Sequence, residues 1–266
     1  MTDTSSRDET PGLLEEVIDK HIALLTINRP RARNAIDAQV AALLSDAVKR
    51  LEGDPTIRVT ILTAAGDAAF CAGADLRALA RGEHALLRTQ LGGFAGFVNF
   101  PRTKPWIAAV NGPALAGGCE LALACDIIIA SDNASFGLPE VKRGLVAAGG
   151  GAYRLARALP RGLAIELALT GDSIPASRAL AHGLISRLTS SDTLREEAIL
   201  LANRIAANAP LAVRESLAIV RQADDRTDAE LAAMSQYASN RLIHSLDFAE
   251  GARAFIEKRA PRWQGR

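Results

Sequence analysis

Aromatic residues are scarce. Only 4% of the 266 positions are Phe, Trp or Tyr, too few to build the stacking platforms on which single-stranded nucleic acids lie. Neither sign of charge prevails, 31 basic residues standing against 30 acidic ones, so no global field draws the chain to nucleic acid or to a membrane surface. Three cysteines, Cys71, Cys119 and Cys125, form an odd set with no C-x-x-C pair and no metal-ligand spacing. A reduced, cytosolic setting is the simpler reading. No apolar run approaches the roughly 18 to 20 residues of a membrane span. The opening MTDTSSRDETPG also lacks the apolar core of a signal peptide. A soluble, cytoplasmic protein is expected.

The common catalytic signatures are missing as well. There is no G-x-S-x-G elbow, no G-x-x-x-x-G-K-[ST] phosphate loop, and no G-x-G-x-x-G after a strand. The four histidines, His21, His84, His182 and His244, lie far apart without an H-x-x-x-H pair and read as surface or cap residues. No metal site is expected.

What is present is an ample apolar fraction, 48%, enough for a sizeable core. The segment 13–30 reads as two strands around a turn near Asp19–Lys20. Residues 37–52 carry Val40, Leu43, Leu44, Ala47, Val48 and Leu51 at helical spacing behind Asp37, a natural cap. Short β-rich runs follow at 57–63, 104–110 and 126–131, with a helical stretch after residue 76 and a helix starting near Gly117. Strands alternating with helices predict crossover units and a largely parallel sheet. Beyond Gly150 the chain reads as helices, including 192–207, 210–223, 227–241 and 246–258, apart from GLISRL at 183–188. No internal repeat is visible.

Two glycine-rich turns and two glutamates carry the chemistry. In GGCELALACDIII, Glu120 is the one carboxylate before Asp126, and Glu140 follows in FGLPEVKRG. An unpaired carboxylate in a buried segment is costly or gives up its charge. A glycine-rich turn feeding a helix exposes N–H groups that can stabilise an oxyanion on a carbonyl. NGPALAGGCE has that form, and FCAGADL is a second such turn. Two glutamates beside them can work as a general acid and base around one water. Plainer readings stand beside this one. Glu120 also fits a first-turn acid complementing a helix dipole, Glu140 an ordinary helix-start residue after Pro139, and Gly117–Gly118 close helix packing.

FCAGADL, AVNGPALAGGCELALACDIIIAS, FGLPEVKRGL and TGDSIPASRALAHGLISRL together closely resemble the enoyl-CoA hydratase/isomerase, or crotonase, family. The likeness runs from about residue 13 to the FAEGARAFIEKRAPRW end. It implies an α/β fold, a spiral of ββα units, with a helical C-terminal part that builds trimers, often paired into hexamers. In these terms residues 1–12 form a polar tail, 13–200 the spiral core and 201–266 the helical part.

The resemblance also assigns roles. The amides of Ala74 and Gly117 would hold a thioester carbonyl, while Glu120 and Glu140 would handle a water, a pair that favours hydration over double-bond shifting. Coenzyme A, as part of the substrate rather than a cofactor, would lie against Arg31, Ala72, Asp75, Leu76 and Arg77. Phe255 and Lys258 would reach the coenzyme of a neighbouring subunit. The expected reaction is reversible hydration of a 2-enoyl-CoA, with an isomerase, a 3-hydroxyacyl-CoA dehydratase or a non-catalytic acyl-CoA binding protein as alternatives. Neither nucleic acid nor membrane is an expected partner. One departure stands out: GLVAAGGG places Ala147 and Ala148 where many hydratases have Pro-Gly. Alanine serves there only with a negative φ, and the change marks a subgroup with different acyl groups, such as branched or hydroxylated ones. The acyl tunnel depends on the 77–100 region.

Overall fold

A computed structural model describes residues 11–266; the polar tail expected over residues 1–12 lies, up to residue 10, outside the described residues. The chain opens with the antiparallel hairpin β1 (Leu13–Ile18) and β2 (Ile22–Ile27). It turns through Asp19 and Lys20, at φ +49° and +66°, a region that a short Asp tolerates better than most residues. Helix α1 (Ala38–Gly53) follows, its first turn closed by Asp37, whose carboxylate accepts the Val40 N–H at 2.9 Å.

Strand β3 (Val59–Ala64) then joins β2 in parallel. β6 (Trp106–Val110), β8 (Ile127–Ser131) and β11 (Arg187–Thr189) extend the sheet to the order β1-β2-β3-β6-β8-β11. Every contact after the hairpin is parallel.

A second, smaller layer holds β7 (Ala114–Leu115), β9 (Ser135–Gly137) and β10 (Ser173–Pro175). The single-residue bridges Cys71–Ala114 and Ile36–Ala74 continue it beyond β7. Each pass of the chain therefore takes one strand of the large sheet, one step through the small layer and one helix. β2 leads through Ile36 to α1. β3 leads through 71–74 to α2 (Leu76–Ala80), β6 through β7 to α3 (Gly117–Leu123), and β8 through β9 to α4 (Gly151–Ala158). This is the repeated ββα turn. It leaves no repeat in the sequence because a step of one to three residues imposes hardly any side-chain pattern.

The period-2 alternation of the parallel strands serves two cores. Ile22, Leu24, Val59, Ile61, Ile107, Ala109 and Ile129 face α7 (Leu194–Ala206), which meets them with Leu194, Ala198, Ala202 and Ala206. Small residues at i+4 spacing let this helix lie close on the sheet. The opposite face packs on α1 and on the small layer that carries the site.

Two stretches differ from the reading of the sequence. The region after residue 76 is not one helix: α2 ends at Ala80, and Gly82 at φ +79° breaks the turn. A short 3-10 turn over 83–87 and the small hairpin β4 (Arg88–Thr89) and β5 (Gly93–Phe94) come next. Between Gly150 and residue 192 the chain forms α5 (Arg161–Thr170) and α6 (Ala176–Ala181), but also β10, which pairs antiparallel with β9. β11 covers only the end of 183–188 and runs to Thr189. The remaining helices, α8 (Pro210–Val220), α9 (Asp228–Leu242, behind a Thr227/Glu230 capping box) and α10 (Leu246–Ile256), fall where their periodicity puts them.

Ala202 is fully buried on the face of α7 that meets the sheet. Ala202→Leu forces a larger side chain between helix and sheet and should lower unfolding free energy by about 1–3 kcal/mol. Urea unfolding checks this, and an unchanged midpoint would mean that α7 does not rest on the sheet.

Candidate active site

Register in the small layer brings the two glycine-rich turns together. Cys71 pairs in parallel with Ala114, so Ala74 and Gly117, each three residues further on, stand abreast. Their turns touch through backbone. A Cβ on Gly73 would lie 3.0 Å from the Gly117 amide nitrogen, and one on Gly118 only 2.0 Å from the Cys71 carbonyl oxygen. Ala116 adopts φ +51°, a conformation an L-residue holds only when its surroundings insist. Its own N–H donates to the Gly137 carbonyl at 3.0 Å. Gly117 N–H is then the first donor of α3, and neither it nor the Ala74 N–H donates to any protein group among the described residues. Two adjacent free amides are what an oxyanion needs.

Register also explains how two glutamates twenty positions apart meet. β7 and β9 are parallel neighbours, with Leu115 opposite Gly137. Glu120 follows Leu115 on the first turn of α3, and Glu140 follows Gly137 on a 3-10 turn spanning Pro139–Arg143. Both thus emerge from the same end of the small layer.

Glu120 is only 4% exposed, and its Oε1 accepts the Gly151 N–H at 3.0 Å. The loop is moulded to it: a Cβ on Gly149 would stand 2.3 Å from Glu120 Oε2. Burial raises the pKa of Glu120, opposed by the Gly151 and Gly149 amides and by the Arg154 and Arg88 guanidinium groups. Glu140 is half-buried, and its Oε2 is shielded from solvent without a hydrogen-bond partner among the described residues. Burial raises its pKa as well, and the charge of Glu120 pushes in the same direction. Each also has groups that favour its carboxylate: the 149–151 amides, Arg154 and Arg88 at Glu120, and its own backbone amide and Arg143 at Glu140.

Ala147 and Ala148 both keep negative φ, so alanine replaces Pro-Gly there without backbone strain. The positive φ falls on Gly150, at +99°. Burial pushes the thiols of Cys71 and Cys125 up to about 12, and that of Cys119 up as well, the charges of both glutamates adding to it. These free cysteines are not nucleophiles. Among the described residues no three His, Cys, Asp or Glu side chains gather into a metal site, and no helix is long and apolar enough to cross a membrane.

The coenzyme residues suggested by the sequence divide into two groups. Arg31, Ala72, Leu76 and Arg77 lie around the turn that carries Ala74, with Arg31, Leu76 and Arg77 exposed. The Asp75 carboxylate is taken up structurally: it caps α2 by accepting the Arg77 and Ala78 N–H groups and receives Arg29 Nη2 at 3.0 Å. Phe255, 86% exposed, and Lys258 sit at the end of α10, and no side-chain hydrogen bond or ion pair ties them to the glutamates within one chain.

Residues that the sequence reading passed over complete the site. Arg29 bridges Asp37 and Asp75, each at 3.0 Å, and so ties the start of α1 to the turn bearing Ala74. Phe94 packs on Gly117, where a Cβ would lie 2.4 Å from the ring. Arg154 holds the Gly149 and Val98 carbonyls at 2.8 and 2.6 Å. None stands in a spacing that flags it; each reaches the site through contacts distant in sequence.

A model of the enoyl-CoA hydratase/isomerase family matches residues 17–266. The carnitinyl-CoA dehydratase of Proteus mirabilis (strain HI4320) is 43% identical over 248 residues, 91% of this chain and 94% of that protein. Among solved structures, enoyl-CoA hydratase from Mycobacterium tuberculosis H37Rv has a TM-score of 0.91 and 47% identity, covering 97% of this chain and 100% of that one. Carnitinyl-CoA hydratase from Mycobacterium avium has a TM-score of 0.75 and 44% identity, with the same coverage.

A carboxyl whose folded pKa is raised destabilises the fold when ionised. Stability is fully present below the unfolded pKa, about 4.3 for Glu, and is lost as pH rises through the folded value. Glu140→Gln removes that loss. Its melting temperature should exceed wild type by a few degrees near neutral pH, and the two should converge as pH falls toward about 4.3. Calorimetry across pH tests this, and a variant less stable at every pH would contradict the burial of a protonated Glu140. Gly149→Ala should disturb Glu120 directly and lower turnover with little change in overall stability, a split visible by comparing rates with melting temperatures.

Proposed function

The chain belongs to the enoyl-CoA hydratase/isomerase family, and on that footing we propose that it adds water reversibly across the double bond of a 2-enoyl-CoA thioester. One observation carries this reading: a buried glutamate, Glu120, and a half-buried one, Glu140, converge beside two adjacent backbone amides without protein acceptors.

The thioester carbonyl lies against the Ala74 and Gly117 N–H groups, which withdraw electrons from the conjugated double bond. Glu120 serves as the base and accepts a proton from water as the water oxygen attacks C3. Negative charge collects on the thioester oxygen as an enolate, held by the two amides. Glu140 serves as the acid and delivers a proton to C2. Run in reverse, Glu140 takes the C2 proton and Glu120 protonates the departing hydroxyl, which is dehydration. The exposed Arg31 and Arg77 meet the phosphates of the coenzyme as charge-assisted donors. A double-bond isomerase needs a single proton shuttle, and the pairing of two acids supports hydration over it.

The C-terminal helices leave Val220, Tyr237, Phe248, Phe255 and Ile256 exposed, and we take this face as a subunit contact of a trimer or a dimer of trimers. Sedimentation equilibrium should give one of those masses, and a monomer would refute the assignment. For the chemistry, loss of enoyl-thioester absorbance is followed with crotonyl-CoA and with longer and branched homologues. Glu120→Gln and Glu140→Gln should each lower kcat by about 10²–10⁴ while the thioester still binds. Binding without turnover in the wild type would move the assignment to an acyl-CoA binding protein, and double-bond migration without hydration to an isomerase.

A further inference from the structure

A series of contacts leads from Gly117 round to the loop that touches Glu120. The Phe94 ring packs on Gly117, and Phe94 pairs directly across the β4–β5 hairpin with Arg88. Residues directly opposite in an antiparallel pair project to the same face, so Arg88 stands beside the ring that covers Gly117. Arg88 Nη2 reaches across to the Ala148 carbonyl at 3.3 Å. The next residue, Gly149, touches Glu120 and is held through its carbonyl by Arg154. With the thioester carbonyl read at the Ala74 and Gly117 amides, the acyl chain beyond C3 runs past Glu120 toward this end of the series.

That end is cationic. Arg88 is exposed, Arg154 half-buried, and neither forms an ion pair with a carboxylate among the described residues. Both act on Glu120, favouring its ionised form, which places their charge over the site. A trimethylammonium group, the cation of carnitine, is held by acids or free aromatic faces, and the two acids here, Glu120 and Glu140, are taken up by the proton transfers at C3 and C2. The exposed ring beside the 149–151 loop, Tyr153, already carries guanidinium groups, Arg154 and Arg157 lying 5.1 and 5.5 Å from its centroid. The Phe94 ring is committed to Gly117. A carboxylate, by contrast, finds at Arg88 a planar guanidinium with donors to spare.

We propose that this site takes CoA thioesters whose acyl chain ends in an anionic group, a carboxylate, and that Arg88 is the residue that selects it. The inference rests on reading the site as a CoA-thioester hydratase. Arg154 adds positive charge but is largely occupied in holding the Gly149 and Val98 carbonyls, so Arg88 makes the direct contact.

The test compares kcat/KM of the full-length enzyme for three substrates. They are crotonyl-CoA, a 2-enoyl-CoA ending in a carboxylate (glutaconyl-CoA), and one ending in trimethylammonium (crotonobetainyl-CoA). Wild type should favour the carboxylate over both others. Arg88→Gln should lower the ratio of carboxylate to neutral substrate by about tenfold or more, mainly through KM, and Arg88→Glu should turn the preference toward the cation. Using the ratio at one pH removes any effect that Arg88 exerts on all substrates through Glu120. A wild type that prefers the trimethylammonium thioester, or Arg88 variants that slow all three equally, would overturn the proposal while leaving the hydratase standing. No hydration of any thioester would overturn the hydratase reading itself, a separate result.

Discussion

The structure depends on one backbone contact, the approach of the 71–74 turn to the start of α3. A Cβ on Gly118 would stand 2.0 Å from the Cys71 carbonyl oxygen, so these segments can lie together only where a side chain is missing. Parallel pairing of Cys71 with Ala114 sets their register, and the large sheet beneath sets the spacing of the strands that feed them. The positive φ of Ala116 is the local cost. In return, two free amides stand side by side in a setting where water competes poorly for them.

The same layer then does the electrostatic work. Because β7 and β9 are parallel neighbours, two carboxyl groups are delivered to one small volume, where desolvation and mutual repulsion prevent both from ionising freely. The asymmetry between them comes from the loop 149–151 and from Arg154 and Arg88, which all act on Glu120. Two residues of one type thus meet different surroundings. The loop fits Glu120 because its glycines leave room for the carboxylate. Ala147 and Ala148 do not spoil that fit, since the unusual dihedral falls on Gly150.

Much of this was legible in the sequence, but unevenly. Asp37 announced the start of α1, helical spacing marked the stretch that holds α9, and the short β-rich runs announced the sheet. Glu120 stood out because a lone carboxylate in GGCELALACDIII needs a reason. Asp75, grouped with the coenzyme residues, turned out to cap α2 and bind Arg29. The stretch 77–100 was opaque, since Gly82, Gly93 and Gly96 take positive φ and break any helical or alternating pattern into pieces too short to read. Arg88 and Phe94 lie in that stretch, so their contacts with Ala148 and Gly117 were hidden with it.

By itself, then, the sequence determined the local elements, the existence of two catalytic-looking carboxylates, and, through several long motifs in order, the family. Those features rest on periodicity, capping and residue type, which act over a few positions. Which amides stand abreast, which groups surround each glutamate and which arginines act on Glu120 were decided only by the tertiary structure. Each of these is a matter of register between strands or of burial by distant segments. No single stretch of chain contains the partner, the distance or the local dielectric on which such a property depends.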